Sequence, residues 1–335
     1  MTMVDPMSKA AGRLRFQGDW GGANLHRAAG WLSQWVWDNT PEHRFSVIYT
    51  GRGMGDNLVA VSRGEVDVAF ATPADFARLA LEGRGPFEGR ALPNLRAIAV
   101  LSHRDAMIPV VRAELGITSL AEIAASESPL RVSLGVNDPD GFMGAAADMV
   151  LEAAGVDLEA IVRRGGAVAR HEQPFDAVAD LREGRADLMV SEAIMTPDWQ
   201  ALAREQEVRF LGLAPAEALA LQERWGLGTI EIPANYFPGA DYPVTALNYS
   251  DWICVAADTL EDETAALLAR AFVEDGEYLA RGYRHLPLDY SPLRYPIDFQ
   301  QASRTPIPLH PAAAAVYAAA MENIATDHRE TGDRG

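Results

Sequence analysis

Residues Ser62 to Phe70 read SRGEVDVAF, and Arg182 to Val190 read REGRADLMV. Each phrase runs from a polar helix end through a glycine and an acid into an apolar strand. The glycines, Gly64 and Gly184, lie 120 residues apart (184 − 64 = 120). A glycine at the foot of a helix is the cheapest residue for a left-handed backbone, so each phrase marks a helix that stops and a strand that starts.

The same elements lie outward from both phrases. In the first block, Leu14–Gln17 reads as a strand ending at Gly18. The pair Gly21-Gly22 then opens a helix with Leu25, Ala28, Ala29, Leu32, Trp35 and Val36 at helical spacing. Phe45–Tyr49 reads as a second strand followed by GRGMG (51–55), a short helix from Asp56 (its expected cap) to Arg63, and a strand over Val66–Ala71. In the second block, Leu130–Gly135 reads as a strand, Asp138–Gly141 as a turn and Phe142–Ala154 as a helix. Ile161–Gly166 is expected to be the second strand with its glycine turn, followed by a helix over Phe175–Glu183 and a strand over Ala186–Val190. Near-continuous apolar strands between helices indicate parallel sheets covered on both faces. The fold class expected is therefore α/β, with two doubly wound lobes built on one plan.

Two extended passages, Leu95–Leu101 and Ala106–Arg112, flank Ser102-His103-Arg104-Asp105, and Thr245–Ala257 leads back. Two crossing segments define a hinge. The expected division is lobe I over 13–104 plus 244–325 and lobe II over 105–243, with flexible ends at 1–12 and 326–335. A helix is expected from Asp262 to about Ala280, and a last one from Ala312.

At 335 residues the chain exceeds what one hydrophobic core usually serves, which agrees with two lobes. Its 48% hydrophobic and 23% charged residues are those of a soluble globular protein. A formal charge of −18 repels phosphate backbones, so nucleic acid is excluded as a partner. The single cysteine, Cys254, sits in an apolar run and reads as a small buried hydrophobe. The N-terminus shows no apolar region of signal-peptide length, and no stretch approaches the ~20 apolar residues of a membrane span.

Glycine turns at helix starts expose backbone N–H groups suited to a carboxylate or phosphate. Three such turns, around Gly21-Gly22, Gly51-Arg52-Gly53 and Gly141, fall after strands. In doubly wound sheets those strand ends converge on the ligand. Asn24, Thr50, Arg52, Asn57, Thr72, Asn137 and Ser191 supply side-chain hydrogen bonds there, and Trp20, Phe142 and Tyr236 supply apolar walls. With Asp138 these make up the candidate site. GRGMG does not fit the dinucleotide spacing, because its third glycine comes one residue early. No catalytic motif is present: His171-Glu172 lacks a second histidine, and His26, His43, His103, His171, His285, His310 and His328 have no metal-ligand spacing. Neither catalysis, cofactor nor metal is expected.

The sequence resembles the TAXI-type solute-binding proteins of TRAP (tripartite ATP-independent periplasmic) transporters. The residues that carry the likeness are Gly21-Gly22, TGRGMGDNL (50–58), Gly64–Asp67 with Asp75, NLRAIA (94–99) leading to Val110-Val111-Arg112, and GITSLAEI (116–123). IPANYFPG (232–239) and Pro308–Pro311 complete it, in order, over about residues 13 to 320. The resemblance implies a type II periplasmic-binding-protein fold whose lobes close on a small organic acid or amino acid. It implies delivery to the membrane subunit of a TRAP transporter, in the periplasm and without catalysis.

Three features depart from the pattern. The first turn reads DWGGANL (19–25) and that of the second lobe NDPDGF (137–142). Asp19, Asp138 and Asp140 therefore oppose an anion unless Arg52 or Arg164 compensates, which points to a zwitterionic or cationic solute. The third departure is the missing export signal: the chain is either a mature or trimmed form or a cytosolic relative put to another use, with a cytoplasmic location as the alternative. A few proteins of this architecture are enzymes, including decarboxylases and a thiamin-pyrimidine synthase.

Overall fold

The computed structural model describes residues 13–21, 24–138 and 141–332, with 325–332 described by backbone alone. The first unit runs β1 (Leu14–Gln17), α1 (Asn24–Asp38), β2 (Ser46–Tyr49), α2 (Gly55–Ser62), β3 (Val68–Ala71), α3 (Asp75–Glu82) and β4 (Leu95–Leu101). The second begins with β5 (Ala106–Arg112), α4 (Leu120–Ala125), β6 (Arg131–Gly135), α5 (Ala145–Ala153), α6 (Leu158–Arg163), β7 (Ala167–His171), α7 (Pro174–Arg182) and β8 (Leu188–Ser191). It continues through α8 (Pro197–Glu205), β9 (Val208–Phe210), α9 (Pro215–Trp225), β10 (Thr229–Ile232) and β11 (Val244–Asn248). The chain then returns to the first unit as β12 (Trp252–Ala257), α10 (Asp262–Glu274), α11 (Gly276–Arg281), α12 (Phe299–Ala302) and α13 (Pro311–Gly332).

Each unit holds one sheet. The first is ordered β2-β1-β3-β12-β4, with β1, β2 and β3 parallel and β12 antiparallel to both its neighbours. The second is ordered β10-β11-β5-β8-β6-β7, with β9 also beside β5, and β6 is parallel to β7 and β8. Thus β1-β2-β3 and β6-β7-β8 repeat one arrangement.

The two quoted phrases are one module built twice. Arg15 in β1 forks onto Asp67 ahead of β3, with Nε and Nη2 donating at 3.1 and 2.6 Å. Arg131 in β6 does the same to Asp187 ahead of β8, at 3.0 and 2.5 Å. In both, the arginine's backbone N–H donates to the same aspartate, and Nη1 donates to a carbonyl of the glycine turn, Glu65 or Gly184. Gly64 and Gly184 stand at φ of +69° and +72°. Planar bidentate pairing fixes the first strand against the third, so the repeat is structural.

Several expectations are corrected. The second strand of lobe II is Ala167–His171; Ile161–Arg163 belong to α6, whose start is capped by Asp157 accepting from the Ala160 N–H. Asp56 does not cap α2 but folds back, accepting from the Arg52 and Met54 N–H groups at 2.9 and 3.2 Å. β11 pairs with β10 and β5, so the chain recrosses at Tyr249–Asp251 rather than between 243 and 244. The helix after Asp262 breaks at Asp275, where Gly276 packs on Ile297, and α13 extends through part of the tail expected to fray. The other expected flexible residues, 1–12 and 333–335, lie outside the described residues.

The two crossings bond to each other. The His103 N–H donates to Asp251 Oδ1 at 3.0 Å, Asp251 N–H to the His103 carbonyl at 3.1 Å, and Tyr249 N–H to the Asp105 carbonyl at 3.1 Å. One apolar cluster passes between the lobes, joined where Phe87 stacks on Phe142 at 4.9 Å between centroids. Gly55 lies where a side chain would collide with both rings.

Candidate functional site

Parallel strands in one register end on one edge, so the turns after β1, β2 and β3 share a rim. The turns after β6, β7 and β8 do likewise, and the two rims face each other across the hinge. Between them lies a cleft of about 70 Å3. Lobe I lines it with Asp19, Trp20, Asn24, Arg52, Met54 and Thr72, and the crossings contribute His103, Asp105 and Trp252. Lobe II lines it with Pro174, Phe175, Glu192, Ala193, Met195 and Thr196.

The equivalent turns close on each other. Arg52 follows β2 and Glu172 follows β7, again 120 residues apart (172 − 52 = 120). Arg52 Nε donates to Glu172 Oε2 at 2.6 Å, and Trp20 Nε1 donates to the Glu172 carbonyl at 3.2 Å. This contact bridges the lobes. Thr72 and Glu192 are a second equivalent pair, after β3 and β8 at the same offset (192 − 72 = 120), and both line the cleft.

Of the sequence-predicted site residues, the cleft brings together Trp20, Asn24, Arg52 and Thr72. Gly21 and Gly53 shape the turns at φ of +88° and +77°, and Gly51 donates its N–H to the Asp19 carbonyl. Gly141 lies against Arg52: a methyl group there would sit 3.4 Å from Nη1. Thr50, Asn137 and Asp138 are exposed on the rims, and Asn137 donates to Asp148 at 2.6 Å. Gly22, with Pro139 and Asp140, lies outside the described residues.

Others stand behind the walls. Asn57 is fully buried, and its amide ties Gly18 to Phe70. Phe142 packs between the lobes instead of facing the cleft. Ser191 donates to the Pro174 carbonyl, and Tyr236 donates to the Asp289 carbonyl at 3.0 Å while stacking on Tyr290. Arg164 pairs with Glu127 and is not part of the cleft lining, so it does not compensate the acids there.

Acids dominate the interior. Asp19, 2% exposed, accepts from the Gly21 and Leu25 N–H groups at the start of α1. Asp105, 1% exposed, accepts from the N–H groups of Ala106, Ala193 and Ile194 and so ties the hinge to the end of β8. Glu192, 6% exposed, is hydrogen-bonded to Asp105; burial first, and then the Asp105 charge, push its carboxyl well above the usual range. Sequence reasoning missed Glu192 and Asp105, whose signals were the 120-residue offset from Thr72 and a place in the hinge. Among the described residues no group of side chains is placed to hold a metal, and no helix is long and apolar enough to cross a membrane.

Residues 28–319 match the NMT1-like family, which covers most of the chain. The chain belongs to the NMT1-like family. No curated protein sequence is significantly similar to this NMT1-like chain. Among solved structures it is similar to MatC from Rhodopseudomonas palustris with bound malate, at 14% identity and a TM-score of 0.52 over 92% of this chain and 98% of that one. It is also similar to PhnD1 from Prochlorococcus marinus in complex with methylphosphonate (12%, TM-score 0.50, 96% and 98%). XAC2383 from Xanthomonas citri bound to chloride ion is similar too (13%, TM-score 0.50, 95% and 100%). These likenesses concern the fold, which is the type II periplasmic-binding-protein fold.

Proposed function

We propose that the protein is a solute-binding protein that captures a small organic solute between its lobes and works in the periplasm. It hands the solute to the membrane subunit of a TRAP-type transporter, as a member of the TAXI kind. The observation that carries this reading is the interlobe cleft itself. Its walls come from equivalent turns of two repeated units, and Arg52 of one turn meets Glu172 of the other across it. A solute that touches both rims gains contacts only in the closed arrangement, so its differential affinity shifts the population toward closure. The similar structures hold small solutes, malate and methylphosphonate. The TAXI resemblance adds amino acids and organic acids to that range.

The test is a thermal-shift panel of amino acids, carboxylates, phosphonates and amines on the purified chain. A binder present at about 100 times its Kd adds about 2.7 kcal/mol of stability. The reading holds if one class raises the Tm and is recovered chemically unchanged. It fails if no class does so, or if the compound is consumed.

A further inference from the structure

We propose that the solute is a small organic cation, a protonated amine whose ammonium is received by Glu192 and the Thr196 hydroxyl in the cleft. This rests on the solute-binding reading and narrows it. The charges of the lining set the class. Asp19, Asp105 and Glu192 all reach the cavity from buried positions, against one guanidinium, Arg52, and that is engaged by Glu172. His103 adds no free donor: its Nδ1 lies on the Pro292 carbonyl and its Nε2 on Asp105. An anion entering here meets carboxylates and finds its counter-charges taken, which disfavours it in a low-dielectric site.

A second observation points the same way. Thr196 lines the same cavity, and its Oγ1 is buried with no hydrogen-bond partner among the described residues. A buried polar atom without a partner carries a penalty that a ligand N–H relieves. The remaining walls, Trp20, Phe175, Met195 and Trp252, are apolar or aromatic and suit a short alkyl stem and a cation over a ring. At about 70 Å3, the cavity is at the small end for an organic ligand, so the solute is small.

The groups around Glu192 also predict how binding titrates. Facing it are Asp105 and His103 from the first crossing, Tyr249 from the return crossing, and Asp19 and Arg52 from lobe I. Without solute, burial and then the Asp105 charge favour a proton on Glu192. An arriving ammonium replaces it as the positive charge: the amine keeps its protons, the Glu192 O–H bond breaks, and that proton passes to the buffer.

Isothermal calorimetry on the full chain with three matched probes tests this: n-butylammonium, 4-aminobutyrate and butyrate. We expect n-butylammonium to bind at least 30-fold more tightly than butyrate, 4-aminobutyrate to fall between them, and proton release to appear as a buffer-dependent heat. Glu192→Gln, which resembles the protonated side chain, should lose at least 30-fold in n-butylammonium affinity without a lower ligand-free Tm. Butyrate binding as tightly as n-butylammonium, or unchanged amine affinity in Glu192→Gln, overturns the assignment. No binding of any probe also overturns it; the wider reading is then decided by the thermal-shift panel, whose chemistries extend beyond these ions.

Discussion

Asn57 has no exposed surface; its Nδ2 donates to the Gly18 and Phe70 carbonyls at 2.7 Å each, and its Oδ1 accepts from Gln17 Nε2 at 2.7 Å. Asn57→Ala leaves three groups unpaired, two of them facing the former amide in the interior. We expect a loss of about 3 kcal/mol in urea unfolding, with the fold retained. Sequence placed Asn57 on the right turn yet could not tell a ligand contact from an internal tie, because both need a polar residue after a strand. Glu192 was illegible for the converse reason. One acid after an apolar strand looks like a surface residue until the hinge brings Asp105 against it. Its raised pKa has a defined sign. The stability contributed by the protonated form is complete below the unfolded value of about 4.3 and is lost as pH rises through the higher folded value. Glu192→Gln cannot ionise, so its urea midpoint should gain on wild type as pH climbs from 4 to 8; parallel profiles would contradict the raised Glu192 pKa.

At the scale of elements, the repeated module makes a paired prediction. Gly64 and Gly184 hold the same left-handed backbone; a methyl group on Gly64 meets nothing within 4 Å, and one on Gly184 meets only Arg112 Nη1 at 3.4 Å. Alanine at either position therefore meets backbone strain alone, about 1 kcal/mol in each lobe by chemical denaturation. Unequal losses would mean that the two phrases share letters without sharing a role. The strands and helices around both phrases were legible because apolar period and glycine punctuation agreed there. Where they disagreed, the reading slipped. Ile161-Val162 are β-branched and suggested a strand, but the Asp157 cap commits them to α6. The true strand, Ala167–His171, lies at the sheet edge, where no continuous apolar run is required.

On the scale of the whole molecule, the two-lobed plan was legible, since extended runs on both sides of Ser102–Asp105 have no other use in a doubly wound chain. The return crossing was misjudged because β11 and β12 read as one long strand, broken only by Tyr249–Asp251. Neither the bridging pair Arg52–Glu172 nor the stack of Phe87 on Phe142 was legible, as each joins residues that only the closed lobes bring together. Such a bridge is worth little by itself, because Glu172 is more than half exposed and surface pairs contribute at most about 1 kcal/mol. Removing it therefore shifts the ligand-free population toward the open arrangement by at most about fivefold, and solute contact supplies the rest of the closure. Small-angle X-ray scattering of Arg52→Ala, without and with the solute found in the thermal-shift panel, tests closure most directly. With the bridge removed, the account predicts a larger radius of gyration without solute and a contraction when it is added; a radius unchanged by bound solute would contradict capture by closure.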